Sequence, residues 1–158
     1  IEDISEFIES KRNEIPDYIE NKADHIKENI NDLPEYLENK TDNIKNNINK
    51  IINDIRKAEI KSGRSEGSVK LLAVSKFHPV DSIIEAIKSG QKYFGENRVQ
   101  EAYSKFVEIK KMYDDIELHI IGQLQSNKVK KAVEIASYIE SVDRIELVKE
   151  IEKQVKKN

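Results

Sequence analysis

Residues 69–90 read VKLLAVSKFHPVDSIIEAIKSG. The first six, VKLLAV, form an apolar run rich in strand formers, and PVDSIIEAIKS at 79–89 sets its apolar positions at helical spacing before Gly90 stops it. A short apolar strand followed at once by an amphipathic helix opens a βαβ unit. The same succession recurs three times downstream. Tyr93–Phe94 reads as a strand running into Gly95 and a helix through Lys111. Leu118–Ile121 is a strand before Gly122, with a helix over 127–135. Tyr138–Val142 is a strand before a helix from Arg144 to Lys156. Four strand–helix pairs predict a parallel sheet, whose strands are buried on both faces and need helices over them, so this stretch is α/β.

Parallel α/β folds gather their chemistry at the C-terminal ends of the strands. In this sequence those ends carry Ser75-Lys76, then Gly95-Glu96-Asn97, then Gly122-Gln123-Leu124-Gln125, then Ser141-Val142-Asp143. Lys76 stands out, because an amine at the mouth of an apolar strand is placed for Schiff-base chemistry, although the same position suits an ordinary lysine whose stem lies along apolar surface with its head in water.

Upstream the character changes. Residues 1–60 carry nine basic and fifteen acidic side chains, a net of −6, whereas residues 61–158 carry eighteen and fifteen, a net of +3. All five glycines fall in the second part, and ten of the thirteen asparagines lie at or before Asn53. Residues 15–31, IPDYIENKADHIKENIN, repeat at 33–49 as LPEYLENKTDNIKNNIN, a shift of 18, and a shorter copy, ISEFIESK, stands at 4–11. Eighteen residues are about five turns of a 3.6-residue helix, so the apolar positions return to one face. Ile26, Ile30, Leu33, Leu37, Ile44, Ile48, Ile51 and Ile55 are expected to form that stripe. Pro16 and Pro34 predict breaks, with Asn13 and Asp32 where N-caps belong. His25 occupies a repeat slot held by Asn43 in the second copy, a surface position rather than a ligand.

The chain has no cysteine, which excludes disulfides and thiolate chemistry. It shows no apolar run of the roughly 18–20 residues that span a bilayer, and Ile1-Glu2-Asp3 lacks the basic-then-apolar order of a signal peptide. A net charge of −3 gives no electrostatic footprint for nucleic acid, and the acidic excess of the helices disfavours a membrane surface. These features lead us to expect a soluble, cytoplasmic protein.

Four motifs in order carry a family resemblance: LLAVSKFHPVDSIIEAIKSG, YFGENRVQEAYSK, ELHIIGQLQSNKVKK and IESVDRIELVKEI. Together they resemble the first half of the YggS/PROSC family, pyridoxal-phosphate-binding proteins with the alanine-racemase N-terminal barrel fold. Ile44–Arg64 is similar to the helix that opens that family. The resemblance implies an α/β fold, a partial TIM-type (β/α) barrel of about four βα units, preceded by a long helical extension. It places a boundary between residues 1–42, the repeats, and residues 43–158, the N-terminal half of the barrel.

The resemblance also implies the chemistry. Lys76 matches the lysine that holds pyridoxal 5′-phosphate as a Schiff base, Asn97 a polar residue facing the cofactor, and His119 and Ser141 positions lining the same mouth. On their own residue types, His119 fits equally a hydrogen-bonded histidine of the barrel wall, and Asn97 a helix N-cap. The implied function is intracellular homeostasis of the cofactor rather than turnover. A racemase-type reaction needs two opposed acid/base groups, and Tyr93, Tyr103, Tyr113 and Tyr138 have no assigned partner for that role. The family's barrel has eight βα units, and its second half carries the phosphate site and the arginine facing the pyridine nitrogen; no arginine follows Arg144 and no glycine follows Gly122. The competing reading is a helical interaction module, self-associating through its repeats, on a cofactor-incompetent half-barrel.

Overall fold

The computed structural model describes residue 39 and residues 41–157. The repeats at 4–11 and 15–31, with Pro16 and His25, and the start of the second long copy, with Pro34, lie outside the described residues. A compact unit begins at Asn43.

Helix α1 covers residues 41–61. Ile48 is buried in the core, with Ile44 and Ile52 packed beside it, whereas Ile51 is 45% exposed. The buried face is therefore rotated from the expected stripe toward Ile52. The reason lies two turns further on, at Glu59, which is buried because its carboxylate accepts hydrogen bonds from Val69 N–H (2.6 Å), Gly67 N–H (3.0 Å), Ser68 Oγ (3.1 Å) and Arg56 (2.8 Å). That capture of the following loop fixes which side of α1 faces inward.

Strand β1 is Ala73–Val74 only, shorter than the apolar run that announces it. Side chains take the backbone groups upstream of it: Arg56 donates to the Val69 carbonyl, and the buried Gln91 amide donates to that of Leu71 (2.8 Å) as well as to Tyr93 O (2.6 Å) further along the chain. A carbonyl satisfied by a side chain needs no ladder partner. Helix α2 is Val80–Lys88 and ends at Gly90, whose φ of +94° sets up a left-handed C-terminal turn with Gly90 N–H on Ile87 O and Gln91 N–H on Ala86 O. Strand β2 (Tyr93–Glu96), helix α3 (Val99–Met112), strand β3 (Glu117–Ile120), a 3₁₀ turn at Ser126–Lys128, helix α4 (Val129–Ile135), strand β4 (Tyr138–Ile139) and helix α5 (Ile145–Val155) follow. Strand β4 stops short of Val142, because Ser141 turns away to bond the Gly122 carbonyl.

The four strands are all parallel, in the order β1-β2-β3-β4. Phe94, Leu118 and Ile120 point into a core closed by Phe106, Ile109, Val129, Ala132 and Leu147 from the helices. The rings of Phe94 and Phe106 meet at 5.8 Å, tilted by 53°. On the opposite parity, Val74, Gly95, His119 and Tyr138 stand in one row across the sheet. Val74 is 44% and Tyr138 53% exposed, whereas Gly95 is buried and Leu72 and Ile121 stand over it, so this face, the concave side of the sheet, is filled in its middle and open at its two ends. Among the described residues the fold is an α/β half-barrel whose edge strands are β1 and β4.

Candidate functional site

The C-terminal ends of the four parallel strands lie along one rim of the sheet, and the loop after β1 opens it. Ser75 N–H extends the ladder to Gly95 O (3.0 Å), and His78 N–H then bonds back to Ser75 O (3.1 Å), closing a tight turn with Lys76 and Phe77 at its centre. Phe77 takes a φ of +64°, the left-handed region that a side chain occupies at a cost of about 1–2 kcal/mol, and its ring is 78% exposed. Lys76 is half-buried, two residues past Val74, and no hydrogen bond or ion pair among the described residues engages its amine.

The residues on either side of Lys76 are held firmly. Ser75 Oγ donates to Glu96 Oε1 (2.7 Å), and Phe77 N–H donates to Glu101 Oε1 (2.7 Å). Lys105, one helical turn beyond Glu101, joins them: its Nζ lies 2.6 Å from Glu101 Oε1, 3.2 Å from Glu96 Oε1 and 3.0 Å from Ser75 O. The Lys105 ammonium, with the Phe77 N–H, holds the Glu101 carboxyl below its ordinary range. Glu96 is wholly buried, and its second oxygen has no partner. Sequence reasoning did not single out this cluster. The i, i+4 spacing of Glu101 and Lys105 was the available signal, and it reads equally as an ordinary surface helix pair.

Asn97 follows β2 and is half-buried. It is not the helix cap that its residue type allows, for Arg98 occupies the N-cap position of α3 and no side chain bonds the first turn. Asn97 instead lines a polar cleft with Arg98, Gln100, Gln123, Gln125 and Lys128. Gly122 presses against it so closely that a Cβ there would lie 2.3 Å from Asn97 O. Ser141 Oγ donates to Gly122 O at 2.5 Å, so its hydroxyl ties the fourth loop to the third.

His119 sits on the concave face within β3. Its Nδ1 lies 2.5 Å from Glu140 Oε1, its ring stacks on Tyr138 at 4.6 Å, and its Nε2 is buried without a partner. The structure thus brings the Lys76 turn, Asn97 and Ser141 to one rim of the sheet, with His119 in the row below. Lys76 and Ser141 belong to outer strands three spacings apart, about 14 Å at the usual strand separation, so they flank the mouth rather than adjoin. No cluster of His, Asp or Glu among the described residues is arranged to hold a metal ion.

Four parallel strands alternating with helices place the chain in the α/β class, as a partial (β/α) barrel. Comparison with known proteins gives the particular relationship. The chain is 43% identical over 106 residues to the pyridoxal phosphate homeostasis protein of Vibrio alginolyticus, covering 66% of this chain and 46% of that one. It is 42% identical over 109 residues to the protein of that name from Aquifex aeolicus, covering 69% and 47%. Among solved structures, PipY of Synechococcus elongatus with PLP bound matches at a TM-score of 0.55 and 44% identity, over 65% of this chain and 47% of that one. An unknown protein from Bifidobacterium adolescentis matches at a TM-score of 0.70 and 33% identity, over 75% and 51%. No family model matches. The resemblance carried by the four motifs is therefore a real relationship to the pyridoxal phosphate homeostasis proteins, and the chain spans about half the length of the curated relatives it matches.

Proposed function

We propose that this chain is a pyridoxal 5′-phosphate-binding protein of intracellular cofactor homeostasis, with Lys76 as the covalent anchor. The observation that carries the reading is the unengaged Lys76 amine at the end of β1, in a chain 44% identical to a structure with PLP bound. Condensation of the amine with the cofactor's aldehyde forms a C=N bond and releases the carbonyl oxygen as water, so no oxidant or metal is required. When bound, the cofactor supplies an electron sink.

The residues present fit that role in part. Asn97 and the orphaned Nε2 of His119 offer polar contacts at the mouth, and Ser141 holds the third and fourth loops together. Phosphate recognition calls for backbone N–H groups at a helix start or nest, and in the family that cradle belongs to the second half of the barrel. We therefore assign the chain the anchor and one wall of the site, with weak affinity by itself. In this reading residues 1–42 are an extension that the cofactor does not touch, residues 43–158 are the binding half-barrel, and the protein acts in the cytoplasm as carrier or regulator without turnover. Consistent with this, no helix among the described residues is long and apolar enough to cross a membrane.

The test is the absorbance spectrum of the chain titrated with pyridoxal 5′-phosphate, followed by borohydride reduction and peptide mapping. The expected result is a new band near the visible edge and label on Lys76, both lost in Lys76→Ala. Comparable label on Lys92, Lys105 or Lys128 would remove Lys76 from the role.

A further inference from the structure

We infer that Glu101 and Lys105 are positioning residues for the Lys76 amine: from helix α3 they clamp the backbone on both sides of Lys76 and so hold its turn in the left-handed form. The inference deepens the proposed function and rests on it for its binding readout, though the clamp itself is a property of the free chain.

A tight turn with positive φ at its third residue normally takes glycine or asparagine there, since neither suffers the Cβ clash. This turn has Phe77 instead, with its ring mostly in solvent, so local preference and core packing give no reason for the conformation. Long-range contacts do. The Phe77 N–H is aimed at Glu101 Oε1, and the Ser75 carbonyl accepts from Lys105 in addition to the turn's own His78 N–H. Lys105 is only 11% exposed and is shared by Glu101, Glu96 and Ser75, so its ammonium cannot swing away without leaving two carboxylates short of a partner. Ser75 is fixed in turn by its hydroxyl on the buried Glu96. Every neighbour of Lys76 is thus tied to α3 or β2, while its own amine stays unengaged. A nucleophile gains from such an arrangement, because its direction is set before the reaction and its nitrogen is not spent on a structural bond.

The experiment compares the wild-type chain with Glu101→Ala, the conservative Glu101→Gln, and Glu101→Ala combined with Phe77→Gly, each first checked for native helix content. Two readouts are taken: hydrogen exchange of the Phe77 amide in the absence of cofactor, and affinity for pyridoxal 5′-phosphate by absorbance. Exchange at Phe77 should quicken at least tenfold in Glu101→Ala. Affinity should fall by a similar factor there, remain near wild type in Glu101→Gln, which keeps an oxygen acceptor, and recover within threefold when Phe77→Gly lets the turn adopt positive φ unaided. Unchanged exchange in Glu101→Ala overturns the inference, as does faster exchange with unchanged affinity. If the wild-type chain takes up no cofactor, the proposed function falls and the Phe77 exchange rate alone upholds or overturns the clamp.

Discussion

The carboxylate of Glu59 accepts the Val69 N–H at 2.6 Å, joining the last turn of α1 to the stretch that enters β1. Burial alone would push this carboxyl up, but the hydrogen bonds from Val69, Gly67, Arg56 and Ser68 outweigh it and bring the pKa down to about 2 from its ordinary 4.5. Because the folded value is depressed, the unfolded chain takes up the proton first. The stabilisation is complete above about pH 4.5 and is lost as pH falls through about 2. Unfolding midpoints between those values should drop steeply for the wild-type chain. For Glu59→Gln they should start lower at neutral pH and vary less across the same window.

Gly122 and Gly95 should respond in opposite ways to alanine. At Gly122 the new Cβ would lie 2.3 Å from Asn97 O and 2.7 Å from Asn97 Cα, backbone atoms that move only with the whole loop. At Gly95 the nearest atoms are the Ile121 Cδ1 (3.1 Å) and Leu72 Cδ2 (3.3 Å), methyl groups that rotate aside. Gly122→Ala is expected to lower the unfolding temperature by several degrees, corresponding to about 1–3 kcal/mol, and to weaken cofactor uptake through Asn97. Gly95→Ala should leave both within about 1 kcal/mol. Equal effects in the two variants would mean that the Gly122 contact does not constrain the rim.

Phe106 is fully buried against Phe94 where α3 crosses the sheet. Truncation to alanine removes the ring and leaves a cavity, a change that costs about 3–5 kcal/mol at comparable core sites. Denaturant unfolding of Phe106→Ala should show a loss of that size with the slope retained. A loss below about 1 kcal/mol would mean that the site collapses around the gap.

Removal of residues 1–42 should leave cofactor affinity within tenfold, about 1.4 kcal/mol, since every group assigned to the mouth lies from Lys76 onward. Titration of a chain starting at Asn43 beside the full chain decides this. A larger fall would bring the repeats into the site.

The outer strands β1 and β4, unpaired on one side among the described residues, should make the chain self-associate. An apolar cleft borders β4, with Val148 46% and Val155 56% exposed and Tyr138 on its wall. Unpaired strand edges beside apolar surface recruit further strands. Sedimentation should show species larger than the monomer at micromolar concentration, reduced by Tyr138→Lys on the edge strand. A purely monomeric chain over that range, unaffected by the substitution, would set the idea aside.

The sequence by itself determined the alternation of strands and helices, because a parallel strand buried on both faces writes a continuous apolar run and a covering helix writes the 3.6-residue period. It also set Lys76 at the end of the first run. It overstated the first and fourth strands and understated the second: the 69–74 run became Ala73–Val74 because side chains of Arg56 and Gln91 take the carbonyls that a ladder would have used, and no local pattern announces such partners. The inward face of α1 likewise turned toward Ile52, since a carboxylate captured by a loop eight to ten residues away counts for more than the apolar stripe. The clamp around Lys76 belongs wholly to the tertiary structure. Ser75, Glu96 and Lys105 are up to thirty residues apart in the chain, and only the pairing of β1 with β2 and the packing of α3 bring them within hydrogen-bond reach. A positive φ at Phe77 was equally hidden, because the residue's own preference opposes it and the opposing force comes from Glu101, on a different element.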